Sequence, residues 1–120
     1  MTDKLYIKRV YDAPEKADGQ RILVDRLWPR GLSRDKAHID HWLKEIAPSN
    51  ELRHWFGHDP RKWDEFLRRY GEELQANGEA VATLRSTIGD KITTLLYAAH
   101  DTQHNNAVAL RDFLGSGPID

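Results

Sequence analysis

A chain of 120 residues suffices for one packed core but not for two, so residues 1–120 are expected to form a single domain. A hydrophobic share of 39% with four tryptophans can fill that core and argues against disorder, while 31% charged residues indicate a well-solvated surface. A net charge of -1 offers no general attraction to nucleic acid or acidic membranes, and the lack of cysteine excludes disulfides, thiolate catalysis and cysteine-based zinc sites.

The first element is a strand near residues 4–11, where Leu5, Ile7 and Val10 accompany Tyr6 and Tyr11; Asp12, Pro14 and the Asp18-Gly19 pair end it. A second strand, near 21–27, centres on Ile22-Leu23-Val24, an aliphatic run of the kind buried on both faces of a parallel sheet. Pro29 and Gly31 stop it. From Asp35 to Ala47 the spacing of Ile39, Trp42, Leu43 and Ile46 predicts a helix ended by Pro48. Ser49 then caps a short helix carrying Leu52, Trp55 and Phe56, with Gly57 as a left-handed terminator.

Asp59 as N-cap and Pro60 at the first helical position open a longer helix, with Trp63, Phe66, Leu67, Tyr70 and Leu74 on one face and Asn77-Gly78 at its end. Val81, Leu84 and Ile88 predict a further helix up to Gly89-Asp90. The strand near 91–99 follows and is expected to be central. A last helix from His104 to Leu114 precedes a Gly115-Ser116-Gly117-Pro118 tail expected to fray. Together these elements predict an α/β fold: a small, mostly parallel central sheet flanked by four to five helices. No apolar run reaches the roughly 18 residues of a membrane span, and no signal-peptide core follows Met1-Thr2-Asp3-Lys4, so no membrane partner and a cytoplasmic location are expected.

Ligands of open parallel sheets bind outside the carboxyl ends of the strands. Two polar clusters fall there. One holds Asp25, Arg26, Trp28 and Arg30; the other runs from His100 through Asp101 and His104 to Asn105 and leads into a helix. Arginine's planar fork suits an oxyanion, and amides at a helix start add positive potential, so a phosphate or carboxylate is the expected small-molecule partner. Trp28 is either a flat wall for a ring or part of the core, and Arg26 or Arg30 could instead pair with Asp25 or Asp101 to fix a turn. The pairs His54/His58 and His100/His104 have i, i+4 spacing, but Gly57 and Asp101-Thr102 interrupt them, so no metal is expected. His58 projects before the Asp59 cap and could act as a donor or general acid.

The segments Val24-Asp25-Arg26-Leu27-Trp28-Pro29-Arg30-Gly31-Leu32, Glu45-Ile46-Ala47-Pro48-Ser49, Trp55-Phe56-Gly57-His58-Asp59-Pro60 and Leu96-Tyr97-Ala98-Ala99, with Asp101 and His104-Asn105-Asn106-Ala107, make the chain resemble the YeaO-like bacterial proteins, a domain-of-unknown-function family. The resemblance runs from about Ile7 to Leu114. It implies a compact α/β fold without an agreed activity, and a parallel first pair of strands. The family's motif-rich positions correspond to Arg9, Tyr11, Asp25, Arg26, Trp28, Arg30, Trp55, His58, Asp59 and Asp101. His54 and His100 stand where lysine or arginine is usual, which further weakens a metal reading.

One functional expectation is an enzyme, or former enzyme, acting on a small phosphorylated, nucleotide-like or carboxylated ligand. Asp25 or Asp101 would be its general base and His58 its acid. Arg9, Tyr11, Arg26, Trp28, Arg30, Asp59 and His104 make up the candidate ligand-binding set. No nucleophile is evident, since Ser33 and Ser49 read as turn or helix-start residues, and no Gly-x-Gly-x-x-Gly or Walker loop is present, so no cofactor is expected. The alternative is a non-catalytic module that senses an anion or docks on a protein. A nucleic-acid-associated regulator has Arg61, Arg68 and Arg69 in its favour, but Glu65, Glu72, Glu73 and the balanced charge weigh against it. No oligomeric state is inferred.

Overall fold

The computed structural model describes residues 5–115. Four strands, β1 (Leu5–Arg9), β2 (Gln20–Leu23), β3 (His41–Trp42) and β4 (Thr93–Tyr97), form one sheet in the order β1-β4-β2-β3, with every pair parallel. Every residue of β4 is buried, as expected for a strand covered on both faces. Leu95 sits in register with Ile7 on one side and Ile22 on the other. The first two strands therefore point the same way, as the resemblance implied, but they are separated by β4.

Five helices complete the described residues: α1 (Arg34–Ala37), α2 (Asn50–Phe56), α3 (Trp63–Ala76), α4 (Gly78–Ile88) and α5 (Asn106–Gly115). Strand alternation sends Leu5, Ile22, Val24, Leu95 and Tyr97 to a large core with Phe56, Phe66, Tyr70, Leu84 and Leu110. Within it Phe56 stacks on Phe66 at 4.4 Å between centroids, a contact contributing about 0.5–1.5 kcal/mol beyond buried area. Leu23, Leu96, Val10 and Ala37 occupy the other face, under Trp28, Ile39 and Trp42.

Polar groups close part of that second face. The β1–β2 connection lies across it, and the Thr94 hydroxyl donates to the Asp18 carbonyl at 2.8 Å. Gly19 is required there: its φ is +66°, and a β-carbon would lie 2.1 Å from the Ile92 carbonyl oxygen. Buried Arg21 donates to the Asp18 carboxylate at 2.6 Å and to the carbonyls of Ala37 and His38 at 2.9 and 3.1 Å. Burial alone would raise the Asp18 pKa, but the Glu15 amide, Lys8 and Arg21 outweigh it and hold the carboxyl below its ordinary value.

The helix expected from Asp35 to Ala47 is the main correction. It ends at Ala37, with His38 in the left-handed region at φ 48°, and the chain turns into β3. The Asp40 carboxylate accepts from the Arg21 amide at 2.8 Å, and the Asp40 and Leu43 amides donate to the Arg21 and Leu23 carbonyls. Pairing with β2 thus satisfies backbone groups that a helix would have paired internally. The apolar residues divide accordingly: Ile39 and Trp42 pack on the small core, Leu43 and Ile46 on the large one. A short 3-10 turn at Lys44–Ile46 completes the segment.

The other boundaries differ less. Strand β2 ends at Leu23, short of residue 27, although the Val24 amide still reaches the Leu96 carbonyl at 3.2 Å. The Ser49 hydroxyl caps α2 through the Leu52 amide, and Gly57 ends it in the left-handed region. Asp59 caps a 3-10 turn, Pro60–Lys62, that runs into α3. Gly115 closes α5, while the rest of the tail expected to fray lies outside the described residues. No helix among the described residues is long and apolar enough to cross a membrane.

Candidate functional site

Beyond the carboxyl ends of β2 and β4 the chain opens into a cleft of about 850 Å³. The two polar clusters expected there do meet in it. Asp25, Arg26, Trp28 and Arg30 line one part, and His100, Asp101, His104 and Asn105 another. Phe56, Phe66, Leu27 and Pro48 supply apolar surface between them.

Asp25 holds the two strand ends and a helix together. One carboxylate oxygen accepts from the Ala98 amide at 2.9 Å, the other from the Asn106 side-chain amide at 3.0 Å. The same Asn106 group reaches the Val24 carbonyl at 3.0 Å, which fixes the start of α5 against β2. Burial raises the Asp25 pKa; the hydrogen bonds from Asn106 and Ala98 and the nearby Arg53 and His58 oppose that without cancelling it.

Asp101 has a different setting. One oxygen accepts from the Gln103 and His104 amides at 2.8 and 3.0 Å, and the other lies 3.0 Å from His104 Nδ1. The backbone hydrogen bonds, from Gln103 first and then His104, hold its pKa below the ordinary value. Asn105 completes the turn by donating to the Asp101 carbonyl at 2.9 Å and capping α5 through the Val108 amide at 3.0 Å.

The expected ligand-binding residues separate by task. Arg9 lies outside the cleft lining and braces it, donating to the carbonyls of Ala99 and Ala98 at 2.9 and 3.4 Å. Tyr11 lines the cleft, and its hydroxyl holds the Arg30 carbonyl at 2.9 Å. The Arg26 guanidinium reaches the Ala47 and Pro48 carbonyls at 3.1 and 3.3 Å, so much of its donor capacity supports the opposite wall. Neither Arg26 nor Arg30 pairs with Asp25 or Asp101 among the described residues. Trp28 packs on the small core, its indole N–H donates to the Leu32 carbonyl at 2.7 Å, and it also lines the cleft. Asp59 is outside the lining and is occupied by its cap and by Arg61.

His54, His58, His100 and His104 all border the cleft, although their interrupted spacing had argued against shared faces. Among the described residues no group of three or more histidine, aspartate or glutamate side chains is placed to hold a metal ion. His58 is exposed and left-handed at φ 58°. Arg53 was not singled out from the sequence. It follows Leu52 on α2 and lines the cleft, with one guanidinium nitrogen on the Asn50 side chain at 2.9 Å. The available signal was a cation beside the buried Leu52/Phe56 stripe. Trp55, a motif position, lies away from the cleft lining between Lys62 and Arg69, at 5.0 and 4.3 Å from its ring centre.

Residues 4–117 match the family model described as the inactive DUF488-N3 subclade. The chain belongs to this subclade. It is similar to the uncharacterized protein YeaO of Escherichia coli (strain K12), 43% identical over 109 residues, which cover 91% of this chain and 95% of that protein. It is also similar to the uncharacterized protein Rv3073c of Mycobacterium tuberculosis (strain ATCC 25618 / H37Rv), 40% identical over 111 residues, covering 92% and 93% of the two chains. No solved structure matches. As a YeaO-like DUF488-N3 chain, the protein has family members over almost its whole length, and the names of these two relatives state no activity.

Proposed function

We propose that this protein is a cytoplasmic, non-catalytic module that binds a small phosphate- or carboxylate-bearing molecule in the cleft at the strand ends. The observation that carries the reading is the charge of the cleft. Three arginines, Arg26, Arg30 and Arg53, face two aspartates, with no lysine or glutamate in the lining and four histidines at its borders. Both Asp25 oxygens are taken up by N–H donors, which leaves the arginine charge of the lining unpaired by that carboxylate. Arg30 and Arg53 are the main anion contacts in this reading, because Arg26 is already engaged with two carbonyls.

Several features favour binding without turnover. Both Asp25 oxygens already accept hydrogen bonds, the Asp101 carboxyl is held at low pKa and is a weak base, and the chain has no thiol nucleophile. The subclade's description as inactive agrees with this. The enzyme reading, with Asp25 as base and His58 as acid, keeps one observation in its favour: a partly buried carboxyl with raised pKa is a usual setting of a general base. Balanced overall charge disfavours nucleic acid as the partner.

Thermal unfolding with millimolar inorganic phosphate tests the reading. Wild type should unfold at higher temperature with phosphate, and Arg53→Ala and Arg30→Ala should lose most of that shift. A wild-type protein whose unfolding is indifferent to phosphate and to simple carboxylates would sink the proposal. Phosphorus NMR of a phosphate ester incubated with the protein separates the two readings, since only an enzyme consumes it.

A further inference from the structure

His104 differs from the other cleft histidines in being fixed. Its Nδ1 lies 3.0 Å from an Asp101 oxygen, and its ring meets Trp63 edge-on at 5.3 Å and 83°. Asp101 is itself held by the Gln103 and His104 amides, and its carbonyl accepts from Asn105. By contrast, His54, His58 and His100 make no side-chain hydrogen bond or ion pair among the described residues.

This arrangement determines the polarity of His104. The Asp101 carboxylate is ionised, held so by its two backbone donors, and an ionised carboxylate only accepts. The hydrogen of the Nδ1 contact must therefore come from the ring, which makes Nε2 the lone-pair nitrogen of the neutral imidazole. His104 lines the cleft with one ring nitrogen engaged by Asp101 and the other without a protein partner among the described residues. Arginine has no acceptor, so the three cleft arginines cannot supply this function.

We infer that the ligand carries a hydroxyl or amino hydrogen beside its anionic group, and that His104 Nε2 is the acceptor that selects it. The chemical class is a hydroxylated phosphate or carboxylate, of which a sugar phosphate is the simplest example. The inference rests on the anion-binding reading and deepens it. His104 is then a specificity residue, and Asp101 a positioning residue that acts through it. An acceptor that a bound ligand covers and leaves unpaired for want of a donor is penalised, so the pair discriminates as well as binds.

Ribose 5-phosphate and inorganic phosphate are the probes, titrated by calorimetry at pH 8 against wild type, Asp101→Asn and His104→Ala. Asp101→Asn keeps an oxygen for the two backbone amides but presents an NH2 to Nδ1, so the imidazole should shift its hydrogen to Nε2 and become a donor. Wild type should bind ribose 5-phosphate more tightly than phosphate; His104→Ala should lose about tenfold for the sugar phosphate and Asp101→Asn a smaller share, since a hydroxyl can still accept from Nε2–H, while phosphate affinity stays within about twofold in both. Nitrogen-15 NMR of the ring should report the Nδ1–H tautomer in wild type and the Nε2–H tautomer in Asp101→Asn.

Phosphate binding without preference for ribose 5-phosphate overturns this inference alone and leaves the anion reading standing. Equal losses for both ligands in Asp101→Asn, or an Nε2–H tautomer in wild type, overturn it in the same way. Failure of wild type to bind either ligand overturns the inference together with the reading beneath it.

Discussion

The polar network under the β1–β2 connection and the cleft beyond the strand ends are both built from arginine and aspartate, yet only the first closes on itself. At Asp18 the carboxylate receives Lys8, Arg21 and the Glu15 amide, and the remaining Arg21 donors go to two carbonyls. In the cleft Asp25 and Asp101 are satisfied by amides and a histidine, so the arginines are not consumed by the aspartates. Charges that neutralise each other hold a fold together. Those whose natural partners are occupied elsewhere remain available to a ligand.

The largest expected effect breaks the closed network. Arg21→Met leaves Asp18 buried with one cation fewer, and removing one partner of a buried pair typically costs about 3–5 kcal/mol. Urea unfolding measures this, and Asp18→Asn combined with Arg21→Met should recover part of the loss. Since the cleft does not depend on Arg21, any variant that remains folded should keep its phosphate-induced stabilisation. Loss of phosphate binding in such a variant would show that the two regions are coupled after all.

Next in size is the open side. Arg53→Ala should weaken phosphate binding by about tenfold or more, the usual worth of a hydrogen bond to a charged group, with little change in the ligand-free unfolding temperature. Arg26→Ala should do the reverse. Its guanidinium supports the Ala47 and Pro48 carbonyls, so it should lower stability more than affinity. If calorimetry and thermal melts gave the same profile for the two variants, the division between binding and bracing arginines would fail.

How far the sequence exposes this contrast depends on the range of the interactions. Ile22-Leu23-Val24, the Ser49 and Asp59 caps and the Gly57 terminator follow from near neighbours, and the structure contains each. Residues 35–47 mislead because Ile39, Trp42, Leu43 and Ile46 have helical spacing while facing two different cores. The Arg21 network is invisible for a related reason: two of its partners are the carbonyls of Ala37 and His38, and carbonyls carry no residue signature. Clustering of Asp25 and Asp101 at one cleft follows from the parallel-sheet rule. The entry of Arg53 required knowing how α2 docks.

A pH titration sharpens the comparison with a smaller effect. The Asp18 pKa is lowered from 3.8, so its contribution to stability is fully present above that value and is lost as pH falls through the lower folded value. The Asp25 pKa is raised from the same 3.8, so its linkage has the opposite sign: stability is greatest below 3.8 and declines as pH rises through the raised folded value. Carbon-13 NMR of the side-chain carboxyls should find Asp18 titrating below 3.8 and Asp25 above it. Coincident titrations would show that the two sites do not differ electrostatically.

The smallest expected effect concerns backbone strain at the rim of the cleft. His58 follows left-handed Gly57 and is itself left-handed, a conformation costing a non-glycine residue about 1–2 kcal/mol. Its exposed imidazole makes no hydrogen bond among the described residues that would offset this. His58→Gly should therefore stabilise the ligand-free protein, by about 1 kcal/mol or less once glycine's greater unfolded-state entropy is counted. If His58 belongs to the open set of charges, the same variant should also bind phosphate less well than wild type does. A gain in stability with unchanged phosphate affinity would move His58 to the turn that Asp59 caps, and leave anion recognition to the arginines.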